Sequence, residues 1–469
     1  MKKVTTLFSK HPRKTNMTSL LPLIRSSITP LPPITDPTFG NSFDSYASNR
    51  LILLGDGTHG TSEFYSARAE ITKRLITQHG FTMIALEADW PDAEALDRYV
   101  RQRPGRKAKL GGSKKDIDEE VFEAFKRFPT WMWRNTEMQE FIEWIRQHNA
   151  SLPAEKKVGI YGMDLYSLGT SIRAVIEYLE HIDPEMSIEA RIRYGCLEPW
   201  SEEPQEYGLA TLRGMKDCEG KVMAMLRDLL ERRLQYVEHP GDGEEFHSSE
   251  QNAYVIRDAE RYYKAMYYSS AGSWTLRDSH MVDMLKRLLK YKPAGSKAVV
   301  WAHNSHCGDA RHTAMGNLRK EVNVGQLCRE AFGEENVALL GCGTHTGTVA
   351  AADGWGGEMH IMDVRPSRKD SWERLAHDTG VKSFLLDLRR EKLPREVQDA
   401  LSEEKKRLQR FIGVIYRPDA EMISHYSAAD LLNQFDGYIW FDETSAVKPL
   451  EVVQPRTVLG NEETYPFGE

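Results

Sequence analysis

A chain of 469 residues, 40% hydrophobic and 28% charged, is long enough for a substantial core and too apolar for global disorder. Its formal charge of -7 and pI near 6.1 supply no general basic surface for nucleic acid, and its apolar runs fall short of the roughly 20 residues that cross a bilayer, so neither nucleic acid nor membrane is an expected partner. Five cysteines without a CxxC pair suit a reducing compartment, which makes the cytoplasm the expected location.

The opening residues carry Lys2, Lys3, Lys10 and Arg13 and then the proline-rich LPLIRSSITPLPPITDP. This stretch lacks the apolar region and cleavage site of a secretory peptide, and residues 1–40 read as an extension. Leu51–Leu54 is a buried strand, Gly55–Gly60 a flexible turn, and TSEFYSARAEITKRLITQHG a helix. Phe81–Leu86 is the next strand, ending in Glu87 and Asp89, so residues 41–90 form a βαβ start to an α/β core. Residues 91–156 are expected to be a helical or lid insertion, with helices around EVFEAFKRF and NTEMQEFIEWIRQH after a solvated loop, RPGRKAKLGGSKK. Lys157–Tyr161 returns as a strand, and residues 157–168 supply a core strand and an active loop ending near Asp164. Residues 169–292 read as a helical cap broken by the polar PGDGEEFHSSEQ. Lys297–Trp301 and Val337–Leu340 restore buried strands, each followed by a histidine-bearing turn, and Ser383–Leu388, Phe411–Tyr416 and Tyr438–Phe441 extend the sheet. They complete the core over residues 293–455, before a tail at 456–469. The expected fold is α/β: a central, mostly parallel mixed sheet with flanking helices and a helical cap or insertion.

Five of the apolar runs, LILLGDGTHG, FTMIALEAD, KVGIYGMD, KAVVWAHNSH and VALLGCGTHTG, end in polar clusters. As parallel strands they would converge at their carboxyl ends on one crevice, where α/β enzymes place their chemistry. In the first cluster His59 is the best general base, because its unperturbed pKa near 6.5 suits water activation. Asp56 and Glu87 can orient it or act as acids. His303 and His306, with Asn304 between them, can share a face at i,i+3 spacing. An alternative reading makes His59, Glu87, His303 and His306 ligands of a divalent metal, but the metal-free pocket is favoured, with no cofactor. His345 either contacts substrate or satisfies its own turn. Asp164 completes the crevice or caps a strand, Arg277 and Asp278 brace the pocket, and Tyr426 contacts substrate or covers the crevice edge. Ser62 lacks a GxSxG elbow, and Cys307 reads as buried packing rather than a nucleophile. Trp131, Trp133 and Trp144 read as helix-core packing.

GDGTHGTSEFYSARAE, the following LEAD, WAHNSHC and the late GVIYRPDAEMISHYSAADLLNQFDGYIWFDETSAVKPL resemble the erythromycin esterase family, including homologues labelled succinoglycan-biosynthesis proteins, over roughly residues 40–455. The resemblance implies an α/β enzyme with a helical elaboration that hydrolyses an ester, the macrolactone of erythromycin-like antibiotics in the characterised members. It implies that His59 matches the catalytic histidine, Asp56 the first-motif carboxylate, Arg68 and Glu87 the arginine and second glutamate, and His303 and His306 the later pair. Arg68 enters the candidate set on this ground, as a group that binds a carboxylate or stabilises negative charge. The macrolide-hydrolysing pattern has glutamate where this chain has Asp56, one methylene shorter. The expected function is hydrolysis of a small-molecule carboxylic ester or lactone by histidine-activated water. The alternatives are a metal-dependent hydrolase of another substrate and a catalytically inactive metabolite-binding protein. The oligomeric state is left open.

Overall fold

The computed structural model describes residues 20–105, 121, 123–238, 243–404 and 406–450. Its strands are β1 (Ile28–Pro30), β2 (Leu51–Asp56), β3 (Phe81–Asp89), β4 (Gly159–Asp164), β5 (Lys297–His303), β6 (Val337–Ala351), β7 (His360–Val364), β8 (Ser383–Asp387), β9 (Leu408–Arg410), β10 (Tyr426–Ala428) and β11 (Gly437–Thr444). Nine of them form one sheet in the order β1-β8-β11-β6-β2-β5-β3-β4, with β7 paired to β6. From β11 to β4 all neighbours run parallel, while β1, β7 and β8 pair antiparallel. The fold is therefore α/β with a mixed central sheet.

The apolar runs become strands because both faces are covered. Ile52 and Leu54 of β2 point into one core with Trp301 and the Ser62–His79 and Thr136–Asn149 helices, while Leu51 and Leu53 point into the other with Met281 and Leu285 of the Ser270–Tyr291 helix. This two-residue alternation is the strand period. A third cluster, built from the helices Leu168–Ile182, Pro184–Tyr194, Glu219–Glu231 and Gly243–Ala265, has its own apolar centre beside the sheet. None of the described helices is long and apolar enough to cross a membrane.

Several expectations need correction. The chain is already organised before residue 41: Leu20–Ser27 is a helix and β1 pairs with β8. The stretch GCGTHTG is not a turn, because β6 continues through it, held by β11 as far as Gly347 and then by β7. Phe411–Tyr416 is not a sheet strand. It crosses the carboxyl end of the sheet through single bridges of Ile412 to Thr58 and Ile415 to Ala352. Most of the expected polar break at PGDGEEFHSSEQ is helical from Gly243, because its polar groups are buried against the Trp90–Val100 helix: Ser248 donates to Glu94, and Arg98 binds Glu245. Cys196 and Cys218 are joined by a disulfide, so not all five cysteines are free thiols, and the cysteine pattern no longer argues for the cytoplasm. The loop expected at RPGRKAKLGGSKK lies outside the described residues from 106 onward, as do residues 1–19 of the 1–40 extension and the whole 456–469 tail.

Beyond β11 the chain straps the loop that follows β2 to its surroundings. Ser62 N donates to Ser445 O at 2.8 Å, Val447 N to Gly60 O at 2.9 Å, Thr136 N to Lys448 O at 2.9 Å and Leu450 N to Arg134 O at 3.0 Å. Gly60 also accepts from Ala350 N at 3.1 Å, an approach so close that a Cβ at this position would overlap the Ala350 backbone.

Candidate active site

The β2–β5 register sets Asp56 directly beside His303 at the carboxyl end of the sheet. The helix that begins at Ser62 returns Arg68 to the same point, where its Nη1 lies 2.5 Å from Asp56 Oδ2. The Arg68 guanidinium rests over the rings of Tyr65 and Trp301 at 4.6 and 4.8 Å, so this fully buried pair is held on both charge and packing. Burial opposes the Asp56 charge, but Arg68 and then His59 hold its pKa below the ordinary value. The other Asp56 oxygen faces His59 Nδ1 at 3.4 Å. The Tyr65 hydroxyl, 3.0 Å from the His59 carbonyl, anchors the loop from behind.

A second network surrounds Glu87. The β3–β4 register shifts between Leu86 and Asp89, a local irregularity of the kind that re-aims a side chain. Glu87 Oε2 accepts from His303 N at 2.8 Å, and Oε1 meets Arg277 Nη2 at 2.9 Å and His306 Nε2 at 3.1 Å. Arg277 grips Asp164 with two parallel bonds, Nε to Oδ1 at 2.9 Å and Nη2 to Oδ2 at 2.6 Å. His306 Nδ1 lies 2.9 Å from Asp278, and its ring stacks on Trp274 at 4.4 Å. Burial disfavours its charge, yet Asp278 and Glu87 together raise its pKa to about 9. Because this lies above the ordinary 6.5, its protonation stabilises the fold fully below pH 6.5, and that contribution is lost as pH rises through about 9. Urea unfolding of the native protein is therefore expected to weaken across this window more than that of a His306→Asn variant.

His303 behaves in the opposite way. Burial and then the adjacent His59, whose ring centroid is 4.9 Å away, push its pKa down to about 3, so it is neutral. Ser305 N donates to His303 Nδ1 at 3.4 Å, which places the ring proton on Nε2. That nitrogen is buried without a hydrogen-bond partner. It is a donor awaiting an acceptor.

These residues line a cavity of about 100 Å³. His59, Glu87, Asp164, Arg277, His303 and His306 supply its polar side, and Phe125, Phe128, Trp133, Trp355 and Val414 its apolar side. Asp56 and Arg68 stand behind His59. Asn304 is a brace for the backbone: its amide bonds Cys342 O at 2.7 Å and Cys342 N at 3.2 Å. His345 and Tyr426 do not line this cavity. The continuation of β6 carries His345 away, to bond Ser367 Oγ at 2.6 Å and stack on His377 at 3.6 Å. Tyr426 packs near Arg368 and Arg410. Asp92, which no sequence pattern singled out, joins Asp89 in the lining. Burial raises Asp89 to about 7 and Asp92 to about 6. The only signal was their position in DWPD, at the start of the Trp90–Val100 helix, where negative charge is favoured.

The candidate donors of the metal reading are in part engaged with one another. Both ring nitrogens of His306 are committed to carboxylates and Nδ1 of His303 to Ser305, and among the described residues no group of three or more His, Cys, Asp or Glu is arranged to hold one. Cys307 is buried, its Sγ directed to Ala302 O at 3.6 Å, and burial raises its thiol pKa well above the ordinary value. Cys307→Ala is expected to keep any turnover within about threefold of that of the native protein while costing about 1–2 kcal/mol of stability, measured by steady-state kinetics and urea unfolding.

Comparison with known proteins bears on the whole architecture. Erythromycin esterase type II of Escherichia coli is 22% identical over 419 residues, covering 84% of this chain and 90% of that protein. Erythromycin esterase type I of Escherichia coli is 22% identical over 326 residues, 66% of this chain and 72% of that protein. The crystal structure of a succinoglycan biosynthesis protein matches with a TM-score of 0.72 at 21% identity, over 92% of this chain and 98% of that one. A Bacillus cereus protein matches at 0.73 and 20%, over 93% and 100%. A histidine-to-asparagine variant of the erythromycin esterase EreC in its open conformation matches at 0.64 and 18%, over 91% and 99%. At these identities the structures speak for the fold. The sequence model of the family described as erythromycin esterase matches residues 76–444, most of the chain, and this protein belongs to the erythromycin esterase family.

Proposed function

We propose that this protein hydrolyses a carboxylic ester or lactone by direct attack of water activated by His59. The observation that carries the reading is the His59 imidazole in the cavity lining, with Nδ1 turned to Asp56. This leaves Nε2 to take the proton of a water molecule as its oxygen attacks the carbonyl carbon. The resulting oxyanion accepts from His303 Nε2–H, with the Arg277 guanidinium beside it in the cavity lining. Collapse breaks the carbon–oxygen ester bond, and the proton held by His59 passes to the leaving alkoxide. Asp56, fixed by Arg68, steadies the imidazolium formed in between. Family membership supports ester hydrolysis as the class of reaction. The cavity volume of about 100 Å³ is below the several hundred Å³ typical of sites enclosing drug-sized ligands, which supports a small acyl or alkoxy group at the reacting centre.

The test is a panel of aliphatic esters, lactones and erythromycin, with products identified by mass spectrometry. The expected result is one acid and one alcohol per turnover, or the hydroxy acid from a lactone, with no acyl adduct on the protein. Overnight treatment with a chelator is expected to leave the rate unchanged, because the ring nitrogens of His306 are already occupied. No turnover on any panel member, or an acyl-enzyme adduct, overturns the proposal.

A further inference from the structure

A second cavity, of about 30 Å³, shares no lining residue with the first. It lies where the start of β4 meets the Trp90–Val100, Gly243–Ala265 and Ser270–Tyr291 helices. Since roughly 10–15 Å³ of such space holds one water, it admits a group of about two to three heavy atoms. Much of its wall is aromatic: Trp90 stacks on Tyr161 at 6.2 Å and His247 on Tyr291 at 3.9 Å between centroids.

Several polar atoms left over on these walls are donors. The Tyr161 hydroxyl and His247 Nε2 are buried without a hydrogen-bond partner, on residues that are each 7% exposed. Arg287 Nε donates to Gln251 Oε1 at 2.7 Å, which turns the Gln251 amide nitrogen toward His247 Nδ1 at 3.4 Å, nearer than Glu250 Oε2 at 3.7 Å. Nδ1 is therefore the acceptor and the ring proton sits on Nε2. Burial and then Asp97 push the Tyr161 pKa well above its ordinary value, so this hydroxyl keeps its proton. Arg101 Nε, on a third lining residue, is likewise buried and unpartnered. Three lone donors on the lining of one cavity call for an acceptor.

The charge balance makes that acceptor an anion. The three carboxylates of the lining are already engaged: Glu94 by Arg98 and Ser248, Asp97 by Arg101, Arg103 and the Ile160 amide, and Glu244 by Arg101 and Arg103. Lys292, by contrast, forms no ion pair among the described residues, and its ammonium lies over the Tyr161 and Tyr291 rings at 5.1 and 5.7 Å. Burial and then Arg101 lower its pKa, an effect that a bound anion opposes. One unpaired cation beside three engaged carboxylates suits a single negative charge and disfavours a dianion.

We propose that Lys292, Tyr161, His247 and Arg101 form a second binding site, for a small monocarboxylate, separate from the cavity that holds His59. The assignment is independent of the hydrolase reading. Calorimetric titration of the native protein with sodium acetate, exchanged against chloride at constant ionic strength, is expected to show saturable binding. Acetamide, its neutral isostere, and inorganic phosphate are each expected to bind about tenfold more weakly or less. Tyr161→Phe and Lys292→Met are each expected to lose about tenfold in acetate affinity, whereas His59→Ala, in the other cavity, is expected to keep it. Without acetate, urea unfolding of Tyr161→Phe is expected at or above the native midpoint, because the hydroxyl removed has no partner to lose. Lys292 is only partly buried, so its variant keeps the fold and serves as the second reading. Absence of saturable binding, acetamide or phosphate binding as tightly as acetate, or acetate affinity that survives both substitutions overturns the site. Affinity lost in His59→Ala places the acetate in the first cavity and overturns it equally.

Discussion

Replacing His59 with alanine is expected to lower kcat for ester hydrolysis by about 10³-fold, within the range that a positioned general base contributes. The protein should remain folded, because Asp56 keeps its contact with Arg68 and no buried charge is stranded. Thermal unfolding should therefore change little while turnover collapses. Exogenous imidazole is expected to restore part of the rate by occupying the space vacated in the cavity. A His59→Ala protein retaining a tenth or more of native kcat would place the base elsewhere. Asp56→Asn should be milder in mechanism yet harsher on the fold, since it leaves the buried Arg68 guanidinium without its carboxylate.

Arg277→Met is expected to produce the largest loss of stability, about 3–5 kcal/mol, the usual consequence of breaking a buried ion pair by removing one partner. Arg277 binds Asp164 through two bonds and Glu87 through a third, so its loss leaves carboxylates from two strands facing each other across the cavity. The Arg191–Glu180 pair is a useful contrast, since both partners are about half exposed. Arg191→Met should leave stability nearly unchanged, because solvent already screens that pair. Urea unfolding of the two variants side by side separates the cases. Equal midpoints would mean that the network at the end of the sheet is tuned for chemistry without holding the fold.

The parallel centre of the sheet was legible because its strands are buried on both faces and their apolar runs break off sharply into Asp56, Glu87, Asp164 and His303. Strand direction then brings those ends together, whatever the loops do. Elements defined by distant partners were not legible in this way. β1 has only three residues and owes its existence to β8, more than 350 positions later in the chain. β6 passes through a glycine-rich sequence that locally reads as a turn, because β11 and β7 supply its hydrogen bonds. Within the site, His59, Glu87, His303 and His306 were marked by motif and position. The protonation of His306 was not, because it depends on Asp278, which arrives from another helix. Asp92 escaped notice for a related reason: a carboxylate in a first helical turn is ordinarily a surface residue, and here burial alone changes its chemistry.

Residues 445–450 fasten Gly60 and Ser62 on one side and Arg134 and Thr136 on the other. Trimming the protein just after β11 would therefore leave the sheet's strand pairing complete while unfastening the loop that carries the imidazole. Shortened forms ending there should be well folded and poorly active, and any probe fused close behind Leu450 would report on the integrity of a site whose other parts lie hundreds of residues earlier.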